Sequence, residues 1–435
     1  MITRIEALNY RCLRHVAQDL GPFHILAGPN ASGKSSFLDV PAMMRDILRR
    51  GVEDAVTTRE IPDYSYLFWM RQGKSFELAI EAQIPKQHRC GAAYQIELER
   101  DGPGIGGPSA TPPVCRYAIA VGEDEKGDFG ILDEWLGFVP GRSESTSQAP
   151  PRGDLFGAPQ PPTSLLAVGR AGPSHCVLNS RRGVATFHNE AGGLDQKGYV
   201  FNLGTRKAAL AGLPEDEEQF PVGAWFKRLL ESEVQTLMLS AEAMRRPSPP
   251  QAKRSMWADG SSFPWILDEF LSRPGNDLIG RWIEHVRMGL PGLQSVRIFH
   301  RPEDNHKCIV VSYANGLELP SWSLSDGTLR FLALTLLAYL PDFTGTYLIE
   351  EPENGIHPTA VDLVFDSLNA IYDGQVLVAT HSPALVGVAK PEQVLCFARS
   401  DEDGVTITPG SRHPGLRHWK GEVDLGTLFA SGVLG

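Results

Sequence analysis

Apolar and polar positions change period along the chain, and the changes predict its elements. IEALNY near the N-terminus alternates with a period of two, as a strand does. FHILAG is a short apolar run closed by glycine, the pattern of a buried strand. GPNASGKSS follows as a loop, and FLDVPAMMRDILRR then has helical spacing, with Pro41 expected to dent the helix early. The stretches 75–84 and 92–100 alternate again and predict half-buried antiparallel strands.

Between 101 and 175 the pattern dissolves: 24 of those 75 residues are Gly or Pro, against 77 of 435 in the whole chain. Segment 141–163 within it is expected to be a surface loop. CRYAIAV, SHCVLN and VATFH flank it as further strands. From about 205 to 293, GAWFKRLLESEVQTLML, FPWILDEFLSR and LIGRWIEHVRMGL carry apolar residues at three- and four-residue spacing, so helices are expected. VRIFH and KCIVVSY return to strand character. In the last third LRFLALTLLAYL, TYLIEE, TAVDLVFDSLNAI and QVLVATHS alternate helix with apolar strand, which argues for a parallel sheet. The expected fold class is α/β with mixed and parallel sheets plus a helical lobe. Its expected boundaries are 1–205, 206–295 and 296–435.

Charge and composition narrow the function. With 41 Lys+Arg against 52 Asp+Glu the net charge is -11, so a general basic coat for nucleic acid is not expected. The six cysteines lie at 12, 90, 115, 176, 308 and 396, none at CxxC spacing, which signals neither a zinc knuckle nor a disulfide framework. No segment reads as a signal peptide or a membrane span. A reducing, cytoplasmic setting is expected.

Four short segments carry candidate chemistry. GPNASGKS (28–35) fits G-x-x-x-x-G-K-[ST] between a predicted strand and a predicted helix. Its glycines let successive N–H groups wrap a phosphate, and the helix that starts near Lys34 points its positive end at the same anion. Lys34 is the candidate for the β- and γ-phosphates, and the Ser35 hydroxyl for Mg²⁺. In TYLIEEPENGIHP, Glu350 and Glu351 end a strand. Glu350 is assigned to the metal side and Glu351 to general base. His381 ends the strand QVLVATHS and is placed to sense or polarise a γ-phosphate. In SLSDGTLRFLALTLL, Ser325 and Asp326 cap a helix while Gly327 permits close approach of an anion.

In this order the segments resemble the Walker A, signature, Walker B and switch-histidine motifs of ABC-type ATPases. Within these, the chain resembles the branch of RecF, SMC-like heads and, above all, OLD-type ATPases of bacterial anti-phage systems. The opening I-x-x-L-x-Y-R-C-L is similar to the first strand of RecF-like heads. The resemblance covers 1–100 and 296–390 well and the middle only in outline. It implies ATP and Mg²⁺ as ligands. The nucleotide would be held by Asn30, Ala31, Ser32, Gly33, Lys34, Ser35 and Ser36, with Arg11 on its phosphates. It also implies a head-to-head homodimer, in which Ser325 and Gly327 of one copy meet the γ-phosphate held by the other. Gln72 is the candidate for the family's metal-associated glutamine.

Two departures shape the expectation. Glu350 stands where many ABC proteins have Asp. Only 54 residues follow His381, and the one D-x-D among them, Asp401 to Asp403 in SDEDG, sits too near the end to anchor a Toprim site, so no Toprim nuclease is expected in them. The implied function is a switch that controls a separate effector, a nuclease or toxin, in anti-phage defence. The alternative is a RecF-like DNA-binding ATPase. A transporter subunit is disfavoured by the absence of LSGGQ. Arg45, Arg49 and Arg50 on one helix, and Arg245, Arg246, Lys253 and Arg254 in one connector, are either a DNA or partner patch or, preferably, a solvated face. Trp225, Trp265 and Trp282 are expected to pack between helices.

Overall fold

The computed structural model describes residues 1–89, 112–141, 161–169, 176–191, 198–252, 256–273, 275, 277–340, 343–400, 404–417, 419, 421 and 423–434. The predicted strand 92–100, most of the loop 141–163, Lys253, Arg254 and Cys90 lie outside them. The chain forms two compact units, each assembled from three stretches. Unit 1 is Met1–Gly21, Ser36–Val234 and Arg399–Ile407, and unit 2 is Pro22–Ser35, Gln235–Ala398 and Thr408–Gly435.

The chain opens with β1 (Ile2–Tyr10), β2 (Leu13–Asp19), β3 (Phe23–Ala27) and helix α1 (Lys34–Arg50). Unit 1 is built on an antiparallel sheet. Its further strands are β4 (Ser75–Gln83), β5 (Val114–Glu123), β6 (Phe129–Val139), β7 (Cys176–Arg181), β8 (Val184–Phe187) and β9 (Tyr199–Asn202). The order is β2-β1-β4-β5-β6-β7-β8-β9. The alternation in these segments serves a sheet core that includes Leu8, Ala79, Ala118, Trp135 and Leu166. Arg116 of β5 is wholly buried and donates to Glu6 of β1 at 2.6 Å and to Glu81 of β4 at 2.7 Å, tying three adjacent strands. Such a group tolerates burial only with its acids beside it.

α1 runs through Pro41; the lost N–H costs one ladder bond, and the buried Phe37, Leu38, Met43, Met44 and Ile47 hold the helix together. One expectation changes here. GAWFKRLLESEVQTLML is not one helix. It forms α2 (Pro221–Arg228), a π-type turn at Leu229–Glu233 and a strand β10 (Val234–Leu237).

Unit 2 carries the parallel sheet. With β11 (Leu293–His300), β12 (Lys307–Tyr313) and β13 (Glu318–Pro320) forming a separate antiparallel trio, the next strands are β14 (Thr346–Glu350), β15 (Gln375–Thr380) and β16 (Val394–Ser400). β14, β15, β3 and β16 run parallel in that order. Their apolar runs are continuous rather than alternating because both faces are covered: all six residues of β15 are buried. The described helices of unit 2 include α3 (Ala241–Arg245), α4 (Phe263–Ser272), α5 (Leu278–Gly289), α6 (Asp326–Leu336), α7 (Pro358–Asn369), α8 (Pro383–Gly387) and α9 (Leu425–Ala430). Trp282 of α5 is fully buried and donates to Thr335 Oγ1 of α6 at 3.2 Å, so this indole packs as expected. Trp225 is also buried, whereas Trp265 lies under the Lys307 ammonium at 3.6 Å.

Among the described residues no helix is long and apolar enough to cross a membrane, and Cys12, Cys115, Cys176, Cys308 and Cys396 are unbridged.

Candidate functional site

In unit 2, β3 delivers the chain into the loop 28–33, and α1 starts at Lys34. Two residues of the loop take left-handed backbone, Ala31 at φ 62° and Gly33 at φ 101°. Alternating handedness turns successive N–H groups to one side, which makes a concavity for an anion. Gly33 meets this without a Cβ penalty. Asn30 and Ala31 are exposed, and Ser32 and Gly33 are buried.

The Lys34 side chain folds back over the loop. Its Nζ donates to the carbonyls of Gly28 at 2.7 Å and Pro29 at 2.8 Å, with Ser32 Oγ at 3.5 Å. Lys34 is 8% exposed. Burial lowers its pKa, and the charges of Glu351, Glu350 and Glu353 oppose that. The ammonium therefore faces three carboxylates from the end of β14 and the turn after it. Ser35 Oγ lies 3.3 Å from Glu350 Oε2, so the hydroxyl of the first helical turn and the last residue of β14 are adjacent.

Glu351 follows in left-handed backbone at φ 46°, with its N–H donating to Ala379 O of β15 at 2.8 Å. Both its carboxylate oxygens are engaged: Oε1 with His381 Nδ1 at 2.7 Å and Oε2 with Asn354 Nδ2 at 2.6 Å. Parallel pairing makes this possible, since β14 and β15 end at the same level, Glu350 opposite Ala379. Asn354 escaped the sequence reading. Its signal is local: its N–H closes a turn on Glu351 O at 3.1 Å, so the amide three residues on reaches back to the acid.

Glu353 and Thr380 were also missed. Thr380 Oγ1 donates to Glu353 Oε1 and accepts from Ser382 N at 2.9 Å, which fixes the backbone on both sides of His381. Burial raises the Glu353 pKa, helped by the Glu351 charge and opposed by Thr380 and His381. Its Oε2 is buried without a hydrogen-bond partner.

Ser325 caps α6, its Oγ accepting from Thr328 N at 3.1 Å and lying 2.8 Å from Thr328 Oγ1. Gly327 also has a reason within its own chain to lack a side chain. A Cβ there would stand 2.1 Å from Gly355 O, so the missing side chain admits the turn that follows β14. Arg245 is no solvated patch residue, because it bonds Leu324 O and pairs with Asp326. Arg246 pairs with Glu242.

The remaining candidates belong to unit 1. Arg11 sits at φ 52° between β1 and β2, with its N–H on Leu67 O at 2.8 Å and its guanidinium 3.1 Å from Asp39. Ser36 Oγ accepts from the Cys12 thiol at 3.2 Å. A cavity of 610 Å³ in this unit is lined by Arg11, Ser36, Arg59, Tyr66, Trp69 and Arg71 among others. Gln72 is exposed at the turn before β4, its N–H on Trp69 O at 2.8 Å.

Ser35 and Glu350 offer hard oxygen donors of the kind Mg²⁺ takes alongside water and phosphate. Among the described residues no cluster of three or more His, Cys, Asp or Glu could hold a metal ion by itself.

The SMC head crystallised with the C-terminal winged-helix domain of ScpA superposes with a TM-score of 0.51 over 94% of this chain and 97% of that one, at 12% identity. The fold is that of an SMC head. The Pyrococcus furiosus SMC head with an extended coiled coil gives 0.46 at 11% identity, over 94% of this chain and 95% of that one. The Thermotoga maritima SMC head gives 0.35 at 9% identity, over 94% and 98%. Residues 241–387 match the family model described as "AAA domain, putative AbiEii toxin, Type IV TA system". This SMC-head fold with an AAA-type segment supports an ABC/SMC-like ATPase. The curated proteins searched contain no sequence match.

Proposed function

We propose that the chain is an ATP-binding and ATP-hydrolysing switch that dimerises head to head around shared nucleotide. The observation that carries this is the convergence, in unit 2, of Lys34, the Ser35–Glu350 pair at 3.3 Å and the Glu351–His381 pair at 2.7 Å. The carbonyls that hold the Lys34 ammonium mark where β- and γ-phosphate oxygens would compete for it. Asn30 to Ser36 wrap the phosphates with their N–H groups. In unit 1 by itself, the arginine-rich lining of the cavity at Arg11 and Ser36 has the charge for an anion. Ser35 and Glu350 would hold Mg²⁺. When bound, that ion draws charge off the phosphate oxygens.

Glu351 accepts a proton from the attacking water. The water oxygen bonds to the γ-phosphorus, the bond to the β–γ bridging oxygen breaks, and ADP leaves with that electron pair. His381 and Asn354 hold the carboxylate in place. Ser325 and Gly327 of a second copy complete the site, so hydrolysis dissolves the dimer.

The test is phosphate release together with nucleotide binding and solution mass. Lys34→Ala is expected to abolish ATP binding. Glu351→Gln is expected to bind ATP, lose about a hundredfold or more in rate and remain dimeric. Equal rates in wild type and Glu351→Gln would remove Glu351 as base.

The controlled partner is a separate effector, a nuclease or toxin, in anti-phage defence. The toxin–antitoxin wording of the matching family supports that class. Co-purification with the products of neighbouring genes tests it, and recovery of no effector sinks it. The SMC-head fold also keeps a RecF-like DNA role as the second reading. ATP-dependent, salt-sensitive duplex binding by the isolated chain would favour it.

A further inference from the structure

Arg245 lies outside all four motifs, at the last turn of the short helix α3, yet its contacts fall on the signature segment. Its Nε and one terminal nitrogen both donate to Leu324 O, at 3.2 and 3.1 Å. The same terminal nitrogen pairs with the Asp326 carboxylate. Its own backbone carbonyl accepts from Ser321 Oγ at 3.0 Å. Leu324 immediately precedes Ser325, and Asp326 is the first residue of α6. One side chain and one carbonyl thus clamp the segment at 321, 324 and 326, while Gly355 packs closely on Gly327.

The clamp has a chemical consequence. An anion at the α6 N-terminus is favoured by the positive end of the helix but repelled by a carboxylate on the first residue. Pairing with Arg245 quenches that carboxylate. A planar guanidinium satisfies a carbonyl and a carboxylate together, which a lysine ammonium reproduces only in part. The segment after Arg245 is itself anchored, because Ser248 and Lys307 of β12 exchange backbone hydrogen bonds at 2.8 and 3.0 Å.

We propose that Arg245 is a positioning residue for the signature segment: it sets Leu324 O and neutralises Asp326, so that Ser325 and the α6 N-terminus can face the phosphates of nucleotide on a second copy. This rests on the ATPase reading above. Arg245 touches neither substrate nor reacting atoms.

The experiment uses the full chain and reads two quantities, hydrogen exchange of the amides of 321–329 and steady-state ATP turnover. Arg245→Ala is expected to speed exchange in 321–329 by about tenfold and to leave 28–35 unchanged. It should lower kcat by about tenfold while ATP affinity holds. Arg245→Lys recovers part of the rate. Asp326→Asn placed on Arg245→Ala also recovers part, because the charge left unpaired is removed; a merely structural role for Arg245 would not produce that rescue. If Ala disturbs α3, Arg245→Lys decides, and wild-type exchange and wild-type kcat in it would overturn the proposal. Unchanged exchange in Arg245→Ala overturns it as well. A wild-type protein that released no phosphate would bring down the ATPase reading, and exchange would still judge the clamp.

Discussion

At the scale of single residues, the site depends on how one carboxylate is held. Glu351 has a partner on each oxygen, His381 on one and Asn354 on the other. A general base gains from orientation as much as from basicity, since the proton must lie within hydrogen-bond reach of a fixed lone pair. Asn354→Ala frees Oε2 and leaves the His381 contact intact. We expect kcat to fall by about tenfold with ATP affinity unchanged, the loss of one hydrogen bond to a charged group. Turnover and titration of labelled ATP on one preparation check this, and weakened binding at constant kcat would assign Asn354 to the ground state instead. Lys34, Ser35, Glu350, Glu351 and His381, which the structure brings together, were legible as candidates because the roles proposed for them need fixed residue types at the ends of strands or at the start of a helix. Asn354, Glu353 and Thr380 were not, because each acts through a turn or a neighbouring strand end that the pattern does not display. Gly327 shows the opposite limit. Its smallness was legible, but the neighbour it admits, Gly355 O, is set by packing.

At the scale of elements, strands were easier to read than helix ends. Parallel strands buried on both faces stand out as apolar runs, and β3, β14 and β15 fell where those runs predicted. α1 continues through Pro41, because burial along most of its length outweighs the one backbone bond lost there. The stretch after Arg228 departs from its expected helix: a π-type turn preserves near-helical spacing, so the switch to β10 left no trace in the apolar pattern. The phosphate loop makes its own prediction. Gly33 stands at φ 101°, beyond the left-handed region that side chains visit. Gly33→Ala strains the loop by about 1–2 kcal/mol and is expected to weaken ATP binding by roughly tenfold. Isothermal titration measures this. An affinity equal to wild type would mean that the loop takes another shape when it binds.

At the scale of the molecule, each unit is stitched from three stretches of chain, and a local pattern carries no record of which distant stretches will join. Charge is handled inside the fold in a way the total of -11 does not reveal. Arg116 is buried among Glu6, Glu81 and Leu165 O, and Arg4 pairs with Glu6 and Asp19. Burial alone would raise the Glu6 pKa, but Arg116 and then Arg4 outweigh it and bring it down to about 2 from 4.5. The sign follows from proton counting. Between those two values the unfolded chain takes up a proton that the native carboxylate refuses, so stability falls as pH falls. The contribution is complete above about pH 4.5 and gone below about pH 2, and its size is on the order of 3 kcal/mol. Glu6→Gln removes the titrating group and keeps the shape. Thermal unfolding of wild type and Glu6→Gln at a series of pH values should therefore show a gap that is constant from pH 7 to about 5 and narrows toward pH 2. A gap independent of pH across that range would mean that Glu6 contributes through packing rather than through its charge.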